Sequence, residues 1–351
     1  MGYLAVKGAE EAILAARALA GPTGGRQAVS AVAEHLPLVV DEIQAEAGVY
    51  EPRLAAIAFT QARGDLAEAV FLLRAYRSTL PRRAAARVHT GELEPERRIS
   101  SAFRNVPGGQ ILGATNDYGL RLLDPGLSTR DDQPVAPARP AGAPLPKVLD
   151  HLRAEKLVAP PAPDGPADDI TRRALRFPAS RSARLQALAR GQAGTMTAFA
   201  YANLRGYGPF HPTLAELRVG ALPLTIDHPR TGEPVRVGTL PVTEAEAVGQ
   251  RPTAEGGTLG VGYGCVPGRS ERKAVAMAVL DAVLAGVDDD APFTSPLQDE
   301  EFVLAHVDGV EAAGFVEHMK LPHEVTFASD LDRVRAIRQH VPIQESMEDK
   351  R

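Results

Sequence analysis

The first 80 residues carry apolar positions at the spacing of amphipathic helices. Pro37 interrupts the longest of these patterns and should break or kink that helix. Asp65 follows Gly64 and is placed to cap the next helix, because its carboxylate can accept a hydrogen bond from a free backbone N–H. The predicted helices cover residues 10–19, 28–47, 52–63 and 65–80. This pattern predicts a helical bundle or docking region.

The middle of the chain has a different residue pattern and composition. Residues 93–124 are less regular. Residues 125–146 are rich in Pro, Ala and Gly, which predicts a linker or an extended surface arm. A short helix is expected over residues 147–157, before a second stretch of this composition at residues 160–167.

Strands and helices mix after residue 168. Extended segments of β type are predicted at residues 217–226, 235–242 and 258–266, with a turn at residues 228–232. Helices are predicted at residues 180–190, 193–204, 270–284, 300–306, 310–319 and 331–340. The predicted fold class is therefore α+β, a helical N-terminal region followed by a mixed antiparallel-sheet and helix C-terminal region.

These changes of pattern suggest three regions. Residues 1–90 would form a helical docking region, and residues 91–167 an irregular segment with the Pro-rich arm. Residues 168–351 would form an α+β region that carries the substrate and metal site.

Composition narrows the class of protein. The chain has 351 residues, of which 44% are hydrophobic, enough for a large core. The net charge of −5 and the scattered basic residues argue against a nucleic-acid binder. Cys265 is the single cysteine, which excludes a disulfide framework or a four-cysteine zinc site within the chain. We see no signal peptide and no apolar run of roughly 20 residues, so a cytoplasmic protein with no membrane span is expected.

His318 and His323 are the sharpest candidates for metal ligands, since neutral imidazoles are the commonest zinc ligands. On an unbroken helix, two residues five positions apart would diverge by about 140°. Pro322 biases Leu321 out of helical geometry, so the helix should end near Lys320 and the bend can bring both rings to one point. The alternative is a helix-terminal histidine favoured by the helix dipole, beside a surface histidine.

A glycine-rich strand over residues 260–268 runs into a helix that begins at Ser270. Backbone N–H groups and the helix dipole make such a start attractive to anions. Arg269, Arg272 and Lys273 add positive charge within one turn, which suits a polyphosphate. The segment matches neither a Walker A sequence nor a complete G-x-G-x-x-G motif, and an ordinary tight turn before a solvated basic helix start is the alternative.

Asp299, Glu300 and Glu301 form an acidic cluster after Gln298. Carboxylates can stabilise an oxocarbenium-like centre, act as bases or hold Mg²⁺. Acidic residues are also favoured at any helix N-terminus, and that is the alternative.

Arginines supply further candidates for binding a phosphate or phosphonate, which a guanidinium can hold bidentately. Arg97 and Arg98 are adjacent. The others are Arg172, Arg173, Arg181 and Arg184. Each could equally be a surface salt-bridge partner.

Several blocks, in order along the chain, resemble one family, the I subunits of the bacterial carbon–phosphorus lyase core complex. The blocks are YLAVKG (3–8), FLLRAYR (71–77), RRIS (97–100), DDITR (168–172), RGYG (205–208), SERKA (270–274), QDEEFVLAH (298–306) and VEAAGF (310–315). The last block leads into the His318 and His323 pair, and the resemblance extends to about residue 330. Ordered blocks of this kind are more specific than any single motif above.

The resemblance implies assembly with the G, H and J subunits of that complex and with its ATPase-like K and L subunits. It implies that an alkylphosphonate displaces adenine from MgATP to give ribose 1-phosphonate 5-triphosphate. Alone, such a subunit would act as a nucleosidase that converts ATP or GTP to free base and ribose triphosphate. By this resemblance, His318 and His323 would be zinc ligands near the J subunit. The resemblance places an iron–sulfur cluster on the J subunit, and the single Cys265 of this chain could not hold such a cluster.

The chemistry of this reaction agrees with the candidate residues. Breaking an N-glycosidic bond builds positive charge on C1′ and negative charge on the base. An enzyme therefore needs a carboxylate near the sugar, a proton donor near the base and cations on the triphosphate. The acidic cluster and the basic helix start could supply two of these, but the sequence does not assign the donor to the base.

Two other interpretations remain open at this stage. The chain could be mainly a scaffold that organises the complex and contributes zinc ligands at a partner interface. It could also be a stand-alone zinc hydrolase, which would need a third ligand and an open position, and no H-E-x-x-H motif offers one.

Overall fold

The structure is a computed structural model that describes residues 9–21, 24–86, 88–131, 143–160, 167–207, 210–250, 258–286 and 292–340. The chain divides into two compact units, a main unit of Thr23–Val310 and a terminal unit of Met1–Pro22 with Glu311–Arg351. The predicted division at residues 90 and 167 rests on composition and stays a prediction.

Helices occur throughout the described chain. Those of the main unit are α2 (Arg26–His35), α3 (Pro37–Ala47), α4 (Pro52–Gln61), α5 (Leu66–Ser78), α6 (Val148–Ala154), α7 (Arg181–Ala189), α8 (Ala193–Ala202), α9 (Glu271–Leu284) and α10 (Glu300–His306). The terminal unit contains α1 (Ala9–Ala20), most of α11 (Gly309–Glu317) and α12 (Glu324–His340). A short 3₁₀ turn, His318–Lys320, lies between α11 and α12.

Helices α2 to α5 pack on one another around an apolar core that includes Ile43, Ala55 and Leu73. The predicted interruption at Pro37 is confirmed, because α2 ends at His35 and Pro37 begins α3. The predicted cap is also confirmed, since the Asp65 carboxylate accepts a hydrogen bond of 3.1 Å from the backbone N–H of Glu68. Helices α2 to α5 of the main unit therefore form a helical bundle, as the sequence predicts for this part of the chain.

An antiparallel sheet follows, with its four strands in the order in which they occur along the chain. The strands are β1 (Glu94–Ile99), β2 (Thr213–Asp227), β3 (Pro234–Gln250) and β4 (Leu259–Pro267). The predicted turn closes the long β2–β3 hairpin, where the His228 N–H donates to the carbonyl of Glu233 at 2.8 Å. The α+β class is confirmed.

Two predictions about the sheet were wrong. Residues 94–99, expected to be irregular, form the edge strand β1. The third strand was expected to end at residue 242, but it continues to Gln250. In both segments charged side chains point into the protein interior, so the usual alternation of apolar and polar positions is hidden.

Helix α9 covers one face of the sheet and is buried along almost its whole length. Gly262 and Gly264 of β4 face this helix. A Cβ atom at either position would collide with a backbone carbonyl of α9, that of Ala278 or that of Ala274. Part of the glycine-rich pattern is thus explained by close packing of a helix on a strand.

The opposite face of the sheet is polar and is also covered. Helix α6 lies against it, and Val148, Leu149 and Leu152 form a small apolar cluster with Ala215 and Val248. The charged residues of this face are therefore shielded from solvent. Within the described residues, no helix combines the length and the hydropathy that a membrane crossing requires.

Candidate functional site

The polar face of the sheet holds a row of buried charges. Arg98, Glu216, Arg218, Glu244 and Glu246 each expose 3% or less of their surface. The strand register places Arg98 beside Arg218, Arg218 beside Glu244, and Glu216 beside Glu246. Burying charge is costly unless each group finds a partner, so the partners decide what each residue does.

Arg98 is fully engaged in structural contacts. Its guanidinium forms an ion pair with Glu216. It also donates to the carbonyls of Pro107 at 2.6 Å, Gly109 at 3.2 Å and Pro146 at 2.8 Å. Arg98 therefore ties β1 to the segments that cover the sheet.

Glu244 is held in its ionised form. One oxygen pairs with Arg218, and the other accepts from Lys147 at 2.5 Å and from the Tyr263 hydroxyl at 2.8 Å. Burial alone would raise the pKa of Glu244, but the attraction of Arg218 and Lys147 outweighs burial and keeps that pKa below its ordinary value.

Glu246 has a different environment from Glu244. Its Oε1 accepts from Lys147 at 3.2 Å, while its Oε2 is buried with no hydrogen-bond partner among the described residues. Burial raises the pKa of Glu246 to about 7, against the attraction of Lys147 and with added repulsion from Glu244 and Glu216. Near neutral pH this carboxyl group is therefore a proton carrier rather than a fixed negative charge.

A cleft of about 460 Å³ opens beside these groups. Among the residues that line it are Thr90, Lys147, Arg153, Arg181, Glu246 and Tyr263. Arg181 is half-exposed and is bound to Asp281 at 2.7 Å, and Arg153 is bound to Asp150 at 2.9 Å. The cleft thus combines a protonatable carboxyl group with several cations and has the size of a small-molecule site.

A second cleft, of about 620 Å³, is lined by residues that include Asp168, Asp169, Arg173 and Ser180. Its carboxylates are occupied, because Asp169 accepts from Arg82 and Thr171, both at 2.5 Å. The Thr171 hydroxyl is the largest cause that lowers the pKa of Asp169, to about 2. Asp169 is therefore a fixed negative charge of this cleft near neutral pH.

The three basic residues predicted to bind a polyphosphate after the glycine-rich strand differ in their exposure to solvent. Arg272 is exposed, and Arg269 is partly exposed, 3.8 Å from Asp41 and 3.8 Å from Glu96. Lys273 is fully buried, and its Nζ has no hydrogen-bond partner among the described residues. Burial lowers the pKa of Lys273 to about 8, although the nearby Glu46 opposes this shift. In this structure only Arg269 and Arg272 of the three can meet a ligand from solvent.

Arg97 is buried like its neighbour Arg98. It lies 2.8 Å from Glu271 and 2.5 Å from Asp117, and it donates to the carbonyl of Leu112 at 2.5 Å. These partners occupy the N–H donors of the Arg97 guanidinium that a phosphate would need.

The acidic cluster at α10 has structural partners at two of its three positions. Asp299 caps the helix by accepting from the N–H of Phe302 at 3.1 Å. Glu300 accepts from the N–H of Ala179 at 3.0 Å and lies 3.5 Å from Arg184. Glu301 is exposed.

The histidine pair lies in the terminal unit and has the predicted bend. The 3₁₀ turn ends at Lys320 and Leu321 is extended, so that the rings of His318 and His323 have centroids 5.4 Å apart. The Nδ1 atom of His318 contacts the carbonyl of Phe315, and that of His323 contacts the carbonyl of Leu321 at 2.6 Å. A carbonyl only accepts, so the ring donates the hydrogen bond at each Nδ1, and Nε2 is the nitrogen left as a possible metal ligand.

The described residues supply only part of a zinc site. Among them, no group of three or more His, Cys, Asp or Glu side chains converges on one point where a metal could bind. The two imidazoles fit zinc as a pair, and further ligands would have to come from elsewhere.

The sequence did not single out Lys147, Glu244, Glu246 or Tyr263. A usable signal was present in the segment TEAEA (243–247), where glutamate alternates with alanine at the period of a strand. The segment ELR (216–218) of the neighbouring strand has the same spacing and brings Arg218, of opposite charge, beside Glu244. Such complementary alternation indicates a buried polar face.

Comparisons with known proteins agree along the whole chain. A family model described as bacterial phosphonate metabolism protein (PhnI) matches residues 2–341. The chain is 44% identical to the putative C-P lyase subunit protein HtxH of Stutzerimonas stutzeri, over 99% of each chain. It is also 44% identical to the alpha-D-ribose 1-methylphosphonate 5-triphosphate synthase subunits PhnI of Rhizobium meliloti (strain 1021) and Escherichia coli (strain K12). These matches cover 96% of this chain and 95% and 98% of the respective relatives.

Proposed function

Because this chain belongs to the PhnI family of bacterial phosphonate metabolism proteins, we propose that it is a subunit of a carbon–phosphorus lyase core complex that transfers ribose triphosphate from MgATP to a phosphonate. The family match over residues 2–341 carries the proposal. Two relatives named as subunits of a ribose 1-methylphosphonate 5-triphosphate synthase support it. An alkylphosphonate displaces the nucleobase at C1′, and water takes its place when the subunit acts alone as a nucleosidase on ATP or GTP.

The partners in this proposal are the G, H and J subunits and the ATPase-like K and L subunits, in the cytoplasm. Large apolar side chains at the surface support association with other chains. Leu120 and Leu123 of the main unit are each 90% exposed, and Phe315 of the terminal unit is 76% exposed. Such side chains are poorly suited to permanent contact with water.

Arg269 and Arg272 bind the triphosphate in this proposal, because they remain accessible beside the start of α9. Mg²⁺ enters with ATP and neutralises part of its charge. Glu301 is the accessible member of the acidic cluster, while Asp299 and Glu300 set the position of α10 through their contacts.

His318 and His323 would hold zinc through their Nε2 atoms. Bound zinc would supply a cation for a phosphonate or phosphate oxygen. The chain itself orients both rings through the carbonyls of Phe315 and Leu321.

A mainly scaffolding role is the second candidate. The observation that favours it is the internal pairing of Arg97, Arg98, Asp299 and Glu300, which leaves few of the predicted site residues free. In this case catalysis would depend on groups of the partner subunits.

Base release distinguishes the two candidates. The purified chain is incubated with ATP and Mg²⁺, and free adenine is measured by chromatography, with and without partner subunits and methylphosphonate. A catalytic subunit releases adenine alone and forms ribose 1-methylphosphonate 5-triphosphate in the complex. Adenine release that requires partners, and that persists when the accessible charged residues of this chain are replaced, would support the scaffold.

A further inference from the structure

We propose that Glu246 is the proton donor to the departing nucleobase, and that the cleft beside β3 and β4 receives the base and ribose of the nucleotide. This inference rests on the proposed function. It names the proton donor to the base, which the reaction requires and which the sequence did not assign. It follows from the position of one carboxyl oxygen, from the charges around it and from the shape of the cleft.

The first observation is the free oxygen of Glu246. Lys147 holds Oε1 at 3.2 Å, and Oε2 has no hydrogen-bond partner among the described residues although the side chain is only 3% exposed. Buried polar atoms are rarely left without a partner, and the exceptions call for an explanation. Because Glu246 lines the cleft, a ligand atom that enters the cleft can supply the partner.

The second observation is the distribution of counter-charge. Arg98 is committed to Glu216, and Arg218 to Glu244. Lys147 is shared, and it lies closer to Glu244 at 2.5 Å than to Glu246 at 3.2 Å.

Glu246 thus receives the weakest compensation of the three carboxyl groups on this face. The charged and titratable groups that face it are Glu216 and Arg218 from β2, Glu244 from its own strand, Tyr263 from β4 and Lys147 before α6. The resulting pKa of about 7 leaves a large fraction of Glu246 protonated at neutral pH. A group that must give up a proton near neutrality works best with such a value.

The third observation is the arrangement of the cleft, whose volume of about 460 Å³ suits a nucleoside. Glu246 is almost fully buried, whereas Arg181 is 45% exposed and Arg153 is 30% exposed. This difference favours a base near Glu246 and the more polar ribose towards the two arginines.

The proton transfer can be written in full. The bond between N9 and C1′ breaks, its electron pair stays on the base, and the proton of Glu246 moves to a ring nitrogen of the base. An oxygen of the phosphonate, or of water in the nucleosidase reaction, forms the new bond to C1′. Glu246 is left as a carboxylate and regains a proton from solvent, while any proton of the attacking oxygen is released to solvent.

The test compares two leaving groups in the chain assembled with its partners. Glu246→Gln keeps the shape and a hydrogen-bond donor but cannot transfer a proton. It should lower adenine release from ATP by about 10²–10⁴-fold. Release of p-nitrophenolate from p-nitrophenyl riboside 5-triphosphate should change little, since this leaving group departs without a proton.

The pH profile is a second readout. In the wild type, release of adenine should fall as the pH rises through about 7, because Glu246 loses the proton that it must donate. This limb should be absent in Glu246→Gln. Glu233→Gln, at an exposed carboxylate of the β2–β3 turn, is the matched control and should keep the wild-type rate and profile.

A binding measurement covers the case in which the wild type releases no base, which would contradict the proposed function and not this site. Calorimetric titration with adenine should show similar affinity for the wild type and Glu246→Gln, whose amide still donates, and about tenfold weaker binding for Glu246→Leu. Equal adenine affinity in all three variants overturns the assignment of the cleft. Equal loss of both leaving groups in Glu246→Gln, with an unchanged pH profile, overturns the role as proton donor.

Discussion

At the scale of single residues, burial decides which charged side chains can act on a ligand. Arg272 and Lys273 are consecutive on α9, but the helical rotation of about 100° per residue exposes the first and buries the second. Lys273 then faces Glu46 within the protein, and burial and mutual attraction set the pKa values of both groups. A cation beside a helix start in the sequence is therefore a ligand-binding group only if its helix face is exposed.

The histidine pair gives a prediction at this scale. His318→Ala and His323→Ala should each remove bound zinc from the assembled complex and stop phosphonate processing. Folding should be nearly unchanged, because His323 is exposed and His318 is only partly buried. Zinc is measured by elemental analysis, and folding by thermal unfolding. His306→Ala is the control, since His306 also contacts a helix carbonyl through Nδ1, that of Phe302.

Pro322→Ala tests the bend itself. This change should allow α11 to extend, turn His323 away from His318 and weaken zinc binding with both ligands still present. Unchanged zinc content in the double histidine variant would refute the metal assignment.

At the scale of elements, close packing of α9 on β4 organises the main unit. Helix α9 contributes to the large apolar core from Ala274 to Leu284. Its approach to the sheet depends on strand positions without a side chain, at Gly262 and Gly264. The same strand presents Tyr263 on the opposite face, so the position of α9 and the geometry of the cleft are linked through β4.

Gly262→Ala should destabilise the chain by about 1–3 kcal/mol, because the new methyl group meets the backbone of α9, which cannot move without repacking the core. The free energy of unfolding in urea measures this effect. Gly238→Ala is the matched control on β3, where a Cβ would meet no atom within 4 Å. Equal stability of the two variants would show that α9 is free to shift.

The sequence predicted elements well where only one face is buried. The amphipathic helices α2 to α5, the cap at Asp65 and the bend before His323 follow from local rules. The edge strand β1 and the end of β3 did not follow from such rules, because their charged residues are neutralised by distant parts of the chain. Glu246 was missed for the same reason, since its raised pKa arises from burial and from partners on other elements.

At the scale of the whole molecule, the resemblance that eight short blocks suggested is confirmed by the family match along residues 2–341. Family membership also gives a context for the exposed apolar side chains. In the segment 118–127 they include Leu120, Leu122 and Leu123, which are 79–90% exposed. These side chains contribute little to the core of the chain itself, so we expect them to contact a partner subunit.

Replacing Leu120, Leu122 and Leu123 together by Ser should weaken assembly with partner subunits and leave the unfolding free energy of the isolated chain within about 0.5 kcal/mol of the wild type. Co-purification and size-exclusion chromatography measure assembly. Val237→Ser, at one of the exposed valines of β3, is the comparison and should assemble normally. Undiminished assembly of the triple variant would remove this segment from the interface.

The charges on the buried polar face also restrict how the strands can align. In the native alignment Arg218 lies beside Glu244, and Glu216 beside Glu246. A slip of one residue would turn both glutamates of β3 into the apolar layer under α9, and a slip of two in either direction would separate Arg218 from Glu244. Either slip leaves a buried charge without an opposite charge beside it, which destabilises misaligned hairpins during folding. Small residues such as alanine would fit in several alignments and do not select the native one. The buried charged groups, including the one proposed to serve catalysis, thus also select the native register of the sheet.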